Sequence, residues 1–149
     1  MPKISEAELQ ARRESIIDAC AKLYETMSFK DITLKEVGKV TTFNRTAIYN
    51  YFNTKEEIFL ALLQREYELW VADLEGLLAE HASMSRRELA AALSQSLEKR
   101  QRLLKLLSMN LVTDKQRQAM EEAEVGFKYY SIYEISYNCL CKLLEVEKQ

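Results

Sequence analysis

The sequence is short of the residues that interrupt helices. Its 149 residues include three glycines and one proline, and that proline stands at position 2. In a helix interior glycine costs about 1 kcal/mol and proline about 3 kcal/mol relative to alanine, so their scarcity leaves long stretches free to be helical. These stretches are rich in alanine, leucine, glutamate, lysine, glutamine and arginine. The composition therefore predicts an all-α fold.

Other features that are missing narrow the class of protein. No apolar run approaches the roughly 20 residues of a membrane span, and no N-terminal segment has the pattern of a signal peptide. The three cysteines are an odd number, which suits a reducing cytoplasm better than a disulfide framework. One histidine, no glycine-rich phosphate loop and no metal-ligand cluster disfavour an enzyme. We expect a cytoplasmic protein with no catalytic residue, cofactor or metal and no membrane association.

Charge is unevenly placed along the chain. The whole sequence carries a net charge of −2, which by itself does not indicate a nucleic-acid partner. Residues 33–55, however, contain four cations and a single anion, which leaves a local charge of +3. Because binding depends on where charges lie, this segment is a candidate for contact with a polyanion.

Helix-start signals divide the same region into short pieces. Ser5 and Glu8 have the spacing of a capping box, which predicts a first helix over about 6–27. Thr33 with Glu36 and Thr54 with Glu57 have the same capping-box spacing, and Asn44 is a further N-cap candidate, so three helix starts fall within about two dozen residues. Two short helices joined by a tight turn form a helix-turn-helix, and such helices must pack on neighbours to be stable. We therefore predict a head over residues 1–62.

The rest of the chain predicts a helical body over residues 63–149. The helix that begins after Thr54 is expected to run toward residue 78 and to join head and body. Ser85 and Glu88 then cap another helix, expected to continue unbroken to about residue 111. A last helical stretch is expected over about 115–147.

The second helix of a helix-turn-helix enters the major groove of DNA, with its N-terminal residues near base edges. Asn44 caps this helix and is itself a candidate for contact with DNA, and Arg45 and Thr46 lie in its first turn. Arginine is the commonest bidentate reader of guanine. Asn50, further along, is placed to reach a base or a phosphate.

Phosphates would be held on both sides of this helix. Tyr49 and Tyr51 each combine a ring that can pack with a hydroxyl that can donate to a phosphate oxygen. Thr33 and Lys55 stand at helix starts, where backbone N–H groups favour an anion. Lys35 adds positive charge beside Thr33. Taken alone, these rings could equally belong to the core, as we expect for Phe52.

The residues from Thr33 to Val37, followed by Phe43 to Glu57, resemble the DNA-binding head of TetR-type transcriptional regulators. The tightest match, Ile48-Tyr-Asn-Tyr-Phe-Asn-Thr-Lys-Glu56, is similar to the family pattern L-Y-x-Y-F-x-S-K-E, and the resemblance covers about residues 9–63. It implies a ligand-responsive repressor that binds a pseudo-palindromic operator in double-stranded DNA as a homodimer. It also implies that Thr33, Tyr49, Tyr51 and Lys55 contact phosphates and that Arg45, Thr46 and Asn50 face the groove.

The sequence departs from this family in its turn, in the end of its first helix and in its length. Thr42 and Ser28 stand where glycines are usual, which predicts a turn of different construction. The body is shortened relative to the family, which usually carries further helices that form the dimer interface. The small-molecule effector would bind in that body, for which the candidate residues are Trp70, Met109, Tyr130, Tyr133 and Tyr137. Aromatic residues at this spacing are more often core or dimer surface.

Two alternatives to a repressor follow from the sequence. The shortened body and the altered turn also fit a helical protein-interaction module that has kept the head but lost autonomous operator binding. An enzyme is the least supported alternative. Binding of a specific DNA sequence separates the first alternative from a regulator.

Overall fold

The structure of the protein is a computed structural model that describes residues 3–81 and 83–108. Within these residues all regular structure is helical, which confirms the all-α prediction. The helices are α1 (Glu6–Tyr24), α2 (Leu34–Val40), α3 (Arg45–Ile48), α4 (Lys55–Glu80), α5 (Arg86–Glu98) and α6 (Gln101–Ser108). The predicted last helix and the effector candidates Met109, Tyr130, Tyr133 and Tyr137 lie outside the described residues.

The chain divides into two compact units, Met1–Leu62 and Leu63–Gln149, and α4 contributes residues to both. We refer to the first unit as the head. In it, α2 packs against both α1 and α3. The two units are described separately below.

Helix α1 begins at the predicted capping box and ends earlier than expected. The Ser5 hydroxyl accepts from the backbone N–H of Glu8 at 3.2 Å, and the Glu8 carboxylate accepts from the Ser5 N–H at 3.2 Å. The helix ends at Tyr24 rather than near residue 27. A polar turn follows, in which the Ser28 hydroxyl donates to the Asp31 carboxylate at 2.8 Å. Polar side chains that bond locally in this way compete with continued helix.

The core of the head is built from side chains of α1, α2, α3 and α4 and of the loop between α1 and α2. Its fully buried members include Ile16, Ile17, Cys20, Ile32, Val37, Ile48, Ile58, Phe59 and Leu62. Three aromatic rings contact one another: the Phe59 ring lies 5.2 Å from that of Tyr24 and 4.8 Å from that of the half-buried Phe29, both edge to face. Burial raises the pKa of the Tyr24 hydroxyl, and Cys20 raises it further by a smaller amount. Phe52 is also core, as expected, with 2% of its surface exposed.

The prediction of one unbroken helix from Ser85 to about residue 111 is wrong. This segment of the second unit contains two helices within the described residues. It starts at the expected Ser85–Glu88 capping box, but α5 ends at Glu98 and α6 begins at Gln101. At the break, the Arg100 guanidinium makes two bonds of 2.8 and 2.9 Å to the Asp73 carboxylate on α4. A bidentate Arg–carboxylate pair is directional, and this tertiary contact outweighs local helix propensity.

Candidate nucleic-acid interface

Helix α2 begins at Thr33, whose hydroxyl accepts from the backbone N–H of Glu36 at 3.2 Å. The Glu36 carboxylate, expected to return to this cap, instead pairs with the Lys39 ammonium at 3.2 Å. Thr33 is exposed, and a hydroxyl that accepts a bond still has its proton to donate. The start of α2 thus presents a donor at the surface.

The turn between α2 and α3 is closed by Thr41, a residue that the sequence patterns did not single out. Its hydroxyl oxygen accepts from the Phe43 N–H at 3.2 Å and lies 3.3 Å from the carbonyl oxygen of Gly38. A threonine hydroxyl that bonds to the backbone two residues on is a known turn device, so the signal was in the sequence. Thr42, the residue at the usual glycine position, is exposed.

The two short helices approach each other closely at Gly38. A methyl group built there would lie 3.4 Å from the Phe43 carbonyl oxygen and 3.7 Å from the Arg45 nitrogen. Space for little more than a methyl therefore separates α2 from the first residue of α3. Because Gly38 has no Cβ atom, α2 can approach the first residue of α3 this closely and so fix the position at which α3 starts.

Helix α3 is a single turn held by a cap on one end and by core residues underneath. The Asn44 side-chain carbonyl accepts from the Ala47 N–H at 2.8 Å, as the N-cap prediction requires. Ile48 is fully buried. The N–H of Phe52 bonds to the carbonyl of Ile48 at 3.0 Å, which continues the helical path beyond α3. With Ile48 and Phe52 turned inward, the intervening polar residues are left at the surface.

Arg45 and Tyr49 contact each other on that surface. A terminal guanidinium nitrogen of Arg45 (Nη2) donates to the Tyr49 hydroxyl at 3.2 Å. The guanidinium carbon also lies 5.8 Å from the centroid of the Tyr49 ring. The two residues are four apart, which is the spacing of neighbours on one helical face.

The Lys55 side chain is hydrogen-bonded to the backbone of the head rather than extended into solvent. Its ammonium donates to the carbonyls of Phe29 at 2.7 Å and Ile32 at 3.0 Å. It also lies 4.3 Å from the centroid of the Phe29 ring. Two of its three protons are used in this way. Because Ile32 precedes Thr33, Lys55 links the first turn of α4 to the start of α2.

The side chain of Glu57, at the start of α4, bonds a different partner from the one that its capping box predicts. The Thr54 hydroxyl accepts from the Glu57 N–H at 3.3 Å, as expected of a cap. The Glu57 carboxylate, however, accepts from the N–H of Asn53 at 2.8 Å, one residue before the cap. The start of α4 is therefore fixed by its own side chains as well as by Lys55.

The nine residues predicted to face DNA differ in exposure. Seven are exposed: Thr33, Lys35, Asn44, Arg45, Thr46, Tyr49 and Asn50. Tyr51 and Lys55 are half-buried, and the Tyr51 ring centroid lies 6.4 Å from that of Phe43. The contacts bring together the start of α2 with Lys55, and Arg45 with Tyr49. Of the cations in this segment, Lys39 is paired with Glu36.

The second unit contains a groove of about 350 Å³ on the side of α4 that faces α5. Its lining includes Asp73, Gly76, Glu80, Gln95, Ser96 and Lys99. Trp70, the effector candidate that the structure describes, is half-buried, and its indole N–H donates to the Ser96 hydroxyl at 2.9 Å. Its polar atom is therefore engaged in the contact between α4 and α5.

The part of the chain that the structure describes contains neither a metal-binding cluster nor a membrane-spanning helix. No group of three or more histidine, cysteine, aspartate or glutamate side chains there is arranged to hold a metal ion. Among the helices of residues 3–81 and 83–108, none has the length and apolar character needed to cross a membrane.

The head of this chain is similar in sequence to known proteins. Residues 16–62 match the sequence model of the family described as bacterial regulatory proteins, tetR family. The HTH-type transcriptional repressor Rv1474c of Mycobacterium tuberculosis is 32% identical over 80 residues, which cover 52% of this chain and 43% of that repressor. The HTH-type transcriptional repressor AcnR of Corynebacterium diphtheriae is 29% identical over 66 residues, which cover 44% of this chain and 35% of that protein.

A third relative shows how far the similarity extends. The HTH-type transcriptional regulator RutR of Escherichia coli is 21% identical over 77 residues, which cover 52% of this chain and 36% of RutR. The chain thus spans less than half the length of each of these relatives. The match falls on the segment whose caps, turn and buried anchors are described above, as the resemblance predicted. By this match, residues 16–62, which lie in the head, are similar to the tetR family of bacterial regulatory proteins.

Proposed function

We propose that this chain is a sequence-specific DNA-binding repressor that binds a pseudo-palindromic operator as a homodimer and responds to a small-molecule effector. The observation that carries the proposal is the polar surface of α3, where Arg45, Thr46 and Tyr49 are exposed above a buried Ile48. A short helix anchored from below and polar above is the form in which a recognition helix enters the major groove. Two of the relatives are named as repressors, which supports the sign of regulation.

In this proposal the residues divide between base edges and phosphates. Arg45, Thr46 and Asn50 face the bases, and only such contacts carry sequence information directly. Contacts to phosphate come from Thr33, Lys35, Tyr49, Tyr51 and the remaining proton of Lys55. Asn44 uses its carbonyl in the cap, so its amide N–H groups are the part left to face DNA.

The homodimer and the effector are proposed on the family resemblance. One head offers few phosphate contacts, and two heads on half-sites one or more helical turns apart give the affinity of a specific operator. The effector would bind in the body, for which Trp70, Met109, Tyr130, Tyr133 and Tyr137 remain the candidates. Such a regulator would act in the cytoplasm, where bacterial chromosomal DNA lies.

Arg45→Ala tests the division between base and phosphate contacts. We expect this variant to relax the preference for one base pair of each half-site, because a bidentate arginine–guanine contact discriminates by about 1–3 kcal/mol. The measurement is fluorescence anisotropy with the duplex that the wild-type protein selects from random DNA, called the preferred duplex below, and with variants of it substituted at single positions. Lys35→Ala is the matched control, since loss of an exposed phosphate contact weakens binding to all duplexes by one factor. A uniform loss in Arg45→Ala would contradict the assignment of Arg45 to a base.

A further inference from the structure

In the proposed function Arg45 contacts a base and Tyr49 contacts a phosphate. In the structure these two side chains also contact each other. Both side chains are exposed, and 44% of the Tyr49 surface is accessible to solvent. Arg45 approaches the ring face, with 5.8 Å between guanidinium carbon and ring centroid, and bonds the hydroxyl at 3.2 Å. Tyr49 therefore meets the arginine through both its ring and its polar tip.

The Tyr49 hydroxyl is an acceptor in this contact, which decides what else it can do. A phenol hydroxyl has one proton to donate and lone pairs with which to accept. Since Arg45 is the donor, the phenol keeps its proton for another acceptor. A phosphate oxygen is such an acceptor, and a guanidinium has five N–H groups, so Arg45 can bond Tyr49 and a base at the same time.

We propose that Tyr49 is a positioning residue for Arg45 and thereby contributes to sequence specificity. In the complex, its hydroxyl donates to a phosphate and accepts from Arg45, so the phosphate contact fixes where the guanidinium lies. An exposed arginine otherwise loses considerable side-chain freedom when it binds a base. This inference rests on the proposed function, and it assigns Tyr49 a role in base selection beyond the phosphate contact.

A phosphate contact alone and a positioning role predict different behaviour. If Tyr49 only bonds a phosphate, its loss weakens every duplex by one factor, because phosphates are the same in all sequences. If it also holds Arg45, its loss weakens the preferred duplex more than a duplex changed at the base pair that Arg45 reads. The ratio of the two affinities therefore separates the roles.

The experiment is a double-mutant cycle read on two duplexes. Wild type, Tyr49→Phe, Tyr49→Leu, Arg45→Ala and Arg45→Ala/Tyr49→Phe are titrated into the preferred duplex and into the one changed at that base pair. Tyr49→Phe should lower the affinity ratio by about threefold, and Tyr49→Leu by more, since it also removes the ring. In the Arg45→Ala background, Tyr49→Phe should leave the ratio unchanged. Helix content by circular dichroism checks that each variant is folded.

Equal weakening of both duplexes by Tyr49→Phe would overturn the positioning role and leave the proposed function standing. The positioning role is equally overturned if Tyr49→Phe changes neither affinity, or if it lowers the ratio equally with and without Arg45. If the wild-type protein prefers no duplex over another, the proposed function fails, and the positioning role fails with it. Lys35→Ala again serves as the control, because its expected effect is uniform.

Discussion

Phe59→Ala is expected to lower the free energy of unfolding of the head by about 3–5 kcal/mol, because the truncation leaves a cavity in a packed core. Phe59 is fully buried and makes edge-to-face contacts with the rings of Tyr24 and Phe29. The loss is large beside the 5–15 kcal/mol or so that stabilises a typical domain. It is measured by residue-resolved hydrogen exchange, read at the Phe52 amide, which bonds the Ile48 carbonyl.

Val40→Ala is the matched control for this substitution. Val40 belongs to α2 in the same head, and 41% of its surface is exposed. A truncation there should change stability by no more than about 0.5 kcal/mol. Similar losses in the two variants would contradict the placement of Phe59 in the core. We also expect Phe59→Ala to weaken DNA binding on all sequences, since unfolding the head removes α3.

Lys55→Met is expected to lower the free energy of unfolding of the head by about 1.5–3 kcal/mol, the value of hydrogen bonds to a charged group. Methionine keeps much of the apolar stem but removes the ammonium that bonds the Phe29 and Ile32 carbonyls. The measurement is hydrogen exchange at the Ile32 amide, which bonds the Ser28 carbonyl within the segment that Lys55 holds. Lys39→Met, which removes only an exposed pair with Glu36, should cost far less.

The same variant has a separate expected effect on DNA binding. If the third proton of Lys55 reaches a phosphate, Lys55→Met should reduce the slope of log affinity against log salt by about 0.9. An unchanged slope with lowered stability would restrict Lys55 to holding the loop between α1 and α2. An unchanged stability would contradict the structural role. The two readouts thus test two roles of one residue.

Several features of the fold that depend on neighbours in the sequence were predicted. The capping boxes at Ser5 and Ser85 each join residues three apart, and both are present as expected. Asn44 likewise caps α3 through Ala47. The burial of Phe52 followed from its position in a motif whose helices must pack to be stable. In each of these places local chemistry and tertiary packing favour the same structure.

Contacts between residues far apart in the sequence were not predictable. The carbonyls that Lys55 bonds are 26 and 23 residues away, and no local pattern marks them as its partners. The break between α5 and α6 has the same origin, because Arg100 is held by Asp73 on another helix. Thr41 differs, since its bond to Phe43 is local and could have been predicted from the turn chemistry of threonine.

Selection of bound sequences from random duplex DNA, at about 0.15 M salt so that non-specific electrostatic binding is weak, tests the proposed repressor most directly. We predict recovery of an inverted repeat, whose half-site spacing would also measure the separation of two heads. Arg45→Ala, selected in parallel, should recover the same repeat with one position of each half-site relaxed. Recovery of no common sequence from folded wild-type protein would contradict operator binding and would favour a protein-interaction module that has kept the family's head.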